Sequence, residues 1–123
     1  MIVGSGIDLV EIGRIQNTMD RYGSRFLNRV YTVAEQAYCL RKKMAAESFA
    51  AKEAAAKALG TGISFGVNWL EIEVVREPGG RPSVTFHGRA AQIASRLGVA
   101  RAALSLTHTS ALAMASVVLE GGK

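Results

Sequence analysis

The chain has 123 residues, 49% of them hydrophobic and 20% charged, with a formal net charge of +5. This composition suits one folded domain over residues 1–123 with a modest core; it excludes a disordered chain, and no apolar run is long enough for a membrane-spanning helix. The positive balance calls for an acidic partner, and with neither zinc-finger spacing nor an aromatic-rich RNA-binding strand, nucleic acid is the weakest choice beside an acidic protein or a phosphate-rich ligand.

Ile2 to Val10 is expected to be a strand. Gly4, Gly6 and Asp8 fall on one side and Val3, Ser5 and Ile7 on the other. Glycines inside a strand mark places where another backbone or a ligand comes close. Asp8, placed at the strand end, is either a cap for the next helix or part of a site. The N-terminal stretch carries Asp8 early and has no basic leader, so no secretory signal is expected.

Glu11 to Tyr22 has the period of an amphipathic helix, with Ile12, Ile15, Met19 and Tyr22 inward and Arg14 and Arg21 towards solvent. Gly23 stops it. Ser24 to Tyr31 is a second short helix with Phe26, Leu27 and Val30 inward; Arg25 and Arg29 enlarge the basic surface. Thr32 and Glu35 form a T-x-x-E capping box that starts another helix, with Ala34, Ala37, Tyr38 and Cys39 on its apolar side. Cys39 is the sole cysteine. No internal disulfide is possible, a reducing cytoplasm is expected, and the thiol reads as a small buried hydrophobe. Arg41, Lys42 and Lys43 mark the end of that helix or a bend.

Ala46 to Leu59 is the central helix, rich in Ala and closed by Gly60. Glu53 and Lys57 lie four apart on one face, either as a surface ion pair or as groups presented to something else. A Gly-rich loop follows to Asn68. Leu70 to Val75 alternates as a half-buried strand; Pro78 to Pro82 is a turn, and Ser83 to His87 returns as a hairpin. Gly88 to Leu97 is a helix on Ala90, Ala91, Ile93, Ala94 and Leu97, ended by Gly98. Ala102 to His108 and Ala111 to Leu119 are strands joined near Thr109 and Ser110. His108 before that turn is structural or functional on position alone.

Two carboxylates, Asp8 and Glu53, stand apart from any His/Cys cluster. Oxygen ligands in so small a number suit Mg²⁺, which keeps waters and is completed by substrate phosphates. Lys57 would then be a phosphate-binding point charge, and His108 a contact to a phosphate or the reacting centre. No Walker loop is present.

GIDLVEIGRI (6–15), FAAKEAAAKALGTGI (49–63), GGRP (79–82) and SLTHTSALAMASVVLE (105–120) together resemble, in order and over nearly the whole chain, the holo-acyl-carrier-protein synthases, the short bacterial 4′-phosphopantetheinyl transferases. The resemblance implies an α+β fold with helices on a mainly antiparallel sheet. It implies transfer of the phosphopantetheine arm of coenzyme A to a serine of apo acyl carrier protein in fatty acid biosynthesis, with adenosine 3′,5′-bisphosphate released. By motif match, Asp8 and Glu53 would hold Mg²⁺, and Glu53 would take the serine proton directly or through a metal-held water. Lys57 and His108 would hold phosphates. Gly60, Thr61 and Gly62 would let the ligand pass close to backbone, and Arg81 and Pro82 would lie towards the nucleotide. Arg14, with Arg21 and Arg25, would dock the acidic carrier. A homotrimer with sites between subunits is the implied assembly. The alternative from charge alone is a basic non-catalytic module binding acidic protein or nucleic acid.

Overall fold

Alternating glycine, alanine and aliphatic residues at both ends of the chain produce three long strands that pair into one antiparallel sheet. The computed structural model describes residues 1–39, 42–76 and 79–122. Strand β1 (Ile2–Glu11) pairs with β5 (Leu112–Gly121), and β5 pairs with β4 (Val99–His108), in the order β1-β5-β4. A second, two-stranded sheet joins β2 (Ile72–Val75) to β3 (Ser83–Phe86), with Ile72 opposite Phe86. The helices are α1 (Ile12–Tyr22), α2 (Ser24–Val30), α3 (Val33–Gln36), α4 (Lys42–Leu59) and α5 (Gly88–Leu97), with a 3₁₀ turn at Trp69–Glu71. This is the expected helix-on-antiparallel-sheet α+β architecture.

Helix α4 lies across the large sheet, chiefly against β1 and β5, and also touches α1 and β2. Ala45, Ala46, Ala50, Ala51, Ala54, Ala55 and Ala56 are all fully buried. A helix enclosed on several sides needs small residues on several faces, which explains why α4 lacks a single apolar stripe. On the sheet, Ala113, Ala115, Val117 and Leu119 of β5 face it. Burying Val117 and Leu119 contributes about 2 kcal/mol each. On β1 the facing residues are Gly4, Gly6, Asp8 and Val10. A Cβ on Gly4 or Gly6 would overlap the carbonyl oxygen of Ala58 or Ala54. The two glycines therefore admit the helix backbone, so the close approach expected there is made by the chain itself.

Several local expectations need correction. Asp8 is not at a strand end: β1 runs three residues further, and Asp8 sits opposite Ala115. It does not cap α1, whose N-cap is Glu11 without a side-chain bond. Tyr22 is exposed, because the turn at Gly23 carries the last turn of α1 past the core. The Thr32–Glu35 capping box forms, but α3 ends at Gln36, leaving Ala34 and Ala37 exposed. Helix α4 begins at Lys42, four residues before the expected start; Arg41 lies outside the described residues, as does Pro78. Leu70 belongs to the 3₁₀ turn, because Asn68 and Glu71 form a second capping box that holds this turn ahead of β2. Cys39 is fully buried, and burial pushes its thiol up to about 11, in keeping with its reading as a hydrophobe.

Candidate active site

Lys52 and Lys57 of helix α4 have sharply different surroundings. Lys52 is fully buried and pairs with Glu35 at 2.7 Å. Its ammonium also donates to the Trp69 and Ile72 carbonyls at 3.0 and 2.5 Å. Glu35 in turn accepts from Val74 N at 2.6 Å and Thr32 N at 2.7 Å. Burial pulls the Lys52 pKa down, and the Glu35 charge opposes that pull. Every strong donor and acceptor in this knot is used, and it ties α3, α4, the 3₁₀ turn and β2 together.

Glu53 and Lys57 face β1 instead. Lys57 does not pair with Glu53 along the helix. Its Nζ reaches across to Asp8 Oδ1 and the Ile7 carbonyl, each at 3.0 Å. The Lys57 side chain is 49% exposed and that of Asp8 15%. Glu53 is half-buried one turn before Lys57, with no hydrogen bond or ion pair among the described residues. Burial pushes its carboxyl above the ordinary carboxylate range, and the Asp8 charge pushes it further; Lys57 and Arg14 pull the other way. Two carboxylates thus share one corner with less positive charge than both require.

That corner fits a hard divalent cation. Its donors are oxygens, they are few, and one carboxylate is unpaired, which leaves positions for water and phosphate oxygens as Mg²⁺ prefers. Among the described residues, no group of three or more His, Cys, Asp or Glu is gathered to ligate a metal.

The model of the family described as the 4′-phosphopantetheinyl transferase superfamily matches residues 4–115. The chain belongs to this superfamily. A holo-[acyl-carrier-protein] synthase of Koribacter versatilis (strain Ellin345) is 56% identical over 98% of this chain and 99% of its own. The Helicobacter pylori holo-[acyl-carrier-protein] synthase, solved in complex with coenzyme A, aligns with a TM-score of 0.85 at 30% identity, covering 94% of this chain and 99% of that one. The corresponding synthase of Neisseria meningitidis gives a TM-score of 0.86 at 33% identity, covering 98% and 99%.

In this phosphopantetheinyl transferase the sequence-predicted residues do not all come together. Asp8, Glu53 and Lys57 come together, and Arg14 joins their electrostatic field from α1. Gly60, Thr61 and Gly62 follow directly at the end of α4. Gly60 and Gly62 adopt positive φ of 85° and 60°, and Gly60 N bonds the Lys57 carbonyl at 3.0 Å. His108 lies apart. It sits opposite Ala113, which sits opposite Val10, so β5 separates it from β1. Its ring contacts Glu47, about 9 Å along the helix from Glu53 at 1.5 Å per residue. Arg81 is exposed and Pro82 half-buried in the connection into β3; neither has a hydrogen bond or ion pair to the Asp8 corner among the described residues.

The arginines expected to dock a carrier line two neighbouring grooves. Arg14 and Arg21 line a groove on α1 together with Thr18 and Tyr22. Thr18 and Tyr22 continue into a second groove rimmed by Arg25 and Arg29 and floored by Phe26, Phe49 and Trp69. Phe49 and Trp69 rings stack at 4.7 Å between centroids.

Sequence reading missed the Lys52–Glu35 knot and the Glu47–His108 contact. The first had a partial signal in the T-x-x-E box. The second joins residues 61 apart in the chain and left no local trace.

Proposed function

We propose that this chain transfers the 4′-phosphopantetheine group of coenzyme A to a serine of an apo acyl carrier protein, releasing adenosine 3′,5′-bisphosphate, in the cytoplasmic synthesis of fatty acids. The observation that carries the reading is the unpaired Glu53 carboxylate beside the Asp8–Lys57 ion pair, in a chain of this superfamily. Asp8 and Glu53 would hold Mg²⁺, which when bound neutralises charge on the pyrophosphate of coenzyme A.

The reaction forms one bond and breaks another at the same phosphorus. The serine oxygen attacks the phosphorus that bears the pantetheine arm, and the bond from that phosphorus to the bridging oxygen breaks. The bridging oxygen leaves with the nucleotide. The serine proton goes to Glu53, directly or through a water. Lys57, whose side chain is half-exposed beside Asp8, holds phosphate charge as the nucleotide departs. The backbone after Gly60 lets the ligand run close to the chain, and Arg81, Pro82 and His108 contact its phosphate and nucleotide portions.

The positive grooves around Arg14, Arg21 and Arg25 suit an acidic carrier, steered by opposite charge. Homotrimeric assembly would bring His108 of one chain to the Asp8 corner of the next. The outward face of the large sheet supports it: Ile7 and Leu9 are 58% and 57% exposed, an apolar surface that calls for a cover.

The test is mass spectrometry of an apo carrier incubated with this protein, coenzyme A and Mg²⁺. A mass gain of one phosphopantetheine, abolished by EDTA, is expected. No gain on several folded carriers, with salt-dependent binding to acidic protein alone, would favour the non-catalytic module instead.

A further inference from the structure

A second ionisable cluster joins three distant parts of the chain. His108, the last residue of β4, has Nδ1 2.9 Å from Glu47 Oε2 in the first half of α4. Glu47 Oε1 lies 3.6 Å from Arg76 Nη2, just past β2. The Arg76 guanidinium in turn lies 5.2 Å over the Tyr38 ring.

Exposure is unequal across the contact. The Glu47 side chain is 11% exposed and the His108 side chain 40%. The buried group therefore grips the ring by one nitrogen while much of the ring faces solvent. A carboxylate only accepts, so Nδ1 carries the hydrogen. Among the described residues Nε2 has no hydrogen-bond partner; a phosphate oxygen only accepts, so Nε2 bonds one as a donor in the imidazolium form, where both ring nitrogens carry hydrogen and Glu47 balances the charge. An ungripped histidine at a strand end would populate several ring orientations, and a ligand would have to select one at an entropic cost. A buried carboxylate also needs a counter-charge, and Arg76 supplies it.

We propose that Glu47 is a positioning residue for the reaction: it fixes the His108 ring so that Nε2–H is presented to a phosphate of coenzyme A, with Arg76 as the nearby counter-charge of the Glu47 carboxylate. The proposal rests on the reading of His108 as a phosphate contact. A purely structural staple between β4 and α4 would affect stability and leave coenzyme A kinetics untouched.

The experiment compares Glu47→Ala, Glu47→Gln, His108→Ala and the Glu47→Ala/His108→Ala double variant. Steady-state kinetics are run with coenzyme A varied and then with carrier varied, and the histidine ring nitrogens are read by ¹H–¹⁵N NMR. Glu47→Ala and His108→Ala are each expected to lower kcat/KM for coenzyme A about tenfold, with carrier KM unchanged. The double variant should be no worse than His108→Ala alone, because Glu47 acts only through the ring. Glu47→Gln keeps an acceptor for Nδ1–H and should recover most of the loss. The Nδ1–H signature should persist in Glu47→Gln and vanish in Glu47→Ala. Unchanged coenzyme A kinetics in Glu47→Ala beside a loss in His108→Ala, or additive losses in the double variant, would overturn the positioning role. Unchanged kinetics in His108→Ala would instead remove the phosphate role of His108, and the proposal with it.

Discussion

Helix α4 carries two lysine–carboxylate arrangements, at Lys52 and Lys57, and they differ in almost every respect. Lys52 meets Glu35 in a sealed knot where each charge is matched and the remaining bonding capacity goes to backbone. Lys57 meets Asp8 at an open edge, and Glu53 beside them has no partner among the described residues. Successive helix positions point about 100° apart, so one helix can turn one glutamate towards solvent and a neighbouring lysine into the core. Saturation marks the first as architecture. Uncompensated like charge marks the second as a place prepared for something else.

The sharpest way to test that contrast is to remove the unpaired carboxylate. Glu53→Gln should lower kcat by at least about a hundredfold, the scale of losing a positioned base. The melting profile should change little, because Glu53 makes no hydrogen bond that Gln would lose. Carrier mass spectrometry against time measures the first, and circular dichroism the second. Wild-type turnover in this variant would end the assignment.

The sealed pair should respond in the opposite way. Lys52→Met strands the Glu35 carboxylate in the core and should cost about 3–5 kcal/mol, read as a lower urea midpoint. Adding Glu35→Gln removes the stranded charge and keeps one of the two acceptor oxygens that Thr32 N and Val74 N use, so the double variant should recover part of the stability lost in Lys52→Met. If the two substitutions simply add, the knot is not a coupled unit.

The contrast also explains how far the sequence could be read. Asp8, Glu53 and Lys57 were visible because they interrupt small-residue stretches, and the elements around them follow from period and propensity. Gly4 and Gly6 were visible as close-approach positions, though nothing local said that α4 itself makes the approach. Glu35 showed one of its roles, the capping box, because that role is local. Its bonds to Lys52 and Val74 depend on how α3 settles against β2, which no window of sequence contains. His108 was singled out by motif, yet its separation from Asp8 within one chain comes from the β1-β5-β4 order. Leu70 was misread because an Asn68 cap outweighed alternation over a short run.

The pH response gives a finer separation. The Glu53 pKa is raised first by burial and then by Asp8, so the folded chain favours the protonated form. That contribution to stability is fully present below the unfolded-state pKa and is lost as pH rises through the folded one. Metal-free protein should therefore lose some thermal stability as pH climbs through the Glu53 titration. Glu53→Gln should show a flatter profile over the same range. Mg²⁺ should raise the wild-type melting temperature more at pH 7.5 than at pH 5, and should have little effect on Glu53→Gln. Equal Mg²⁺ stabilisation of both proteins would place the cation elsewhere.

Arg14 bears on both regions at once, and its effects should be the smallest and the most separable. It lines the α1 groove with Arg21, and its charge also holds down the Glu53 pKa. Arg14→Ala should raise carrier KM about tenfold at low ionic strength, near 1.4 kcal/mol. Because that loss comes from long-range steering between exposed charges, it should shrink as salt rises towards the regime where such fields are screened. The second effect acts on the half-buried Glu53 carboxyl: without the Arg14 charge, Glu53 should titrate higher, and the acid limb of kcat against pH should move upward. A salt-sensitive KM change without a shifted limb would make Arg14 a docking residue only. A shifted limb with an unchanged KM would move it from the carrier surface into the catalytic corner.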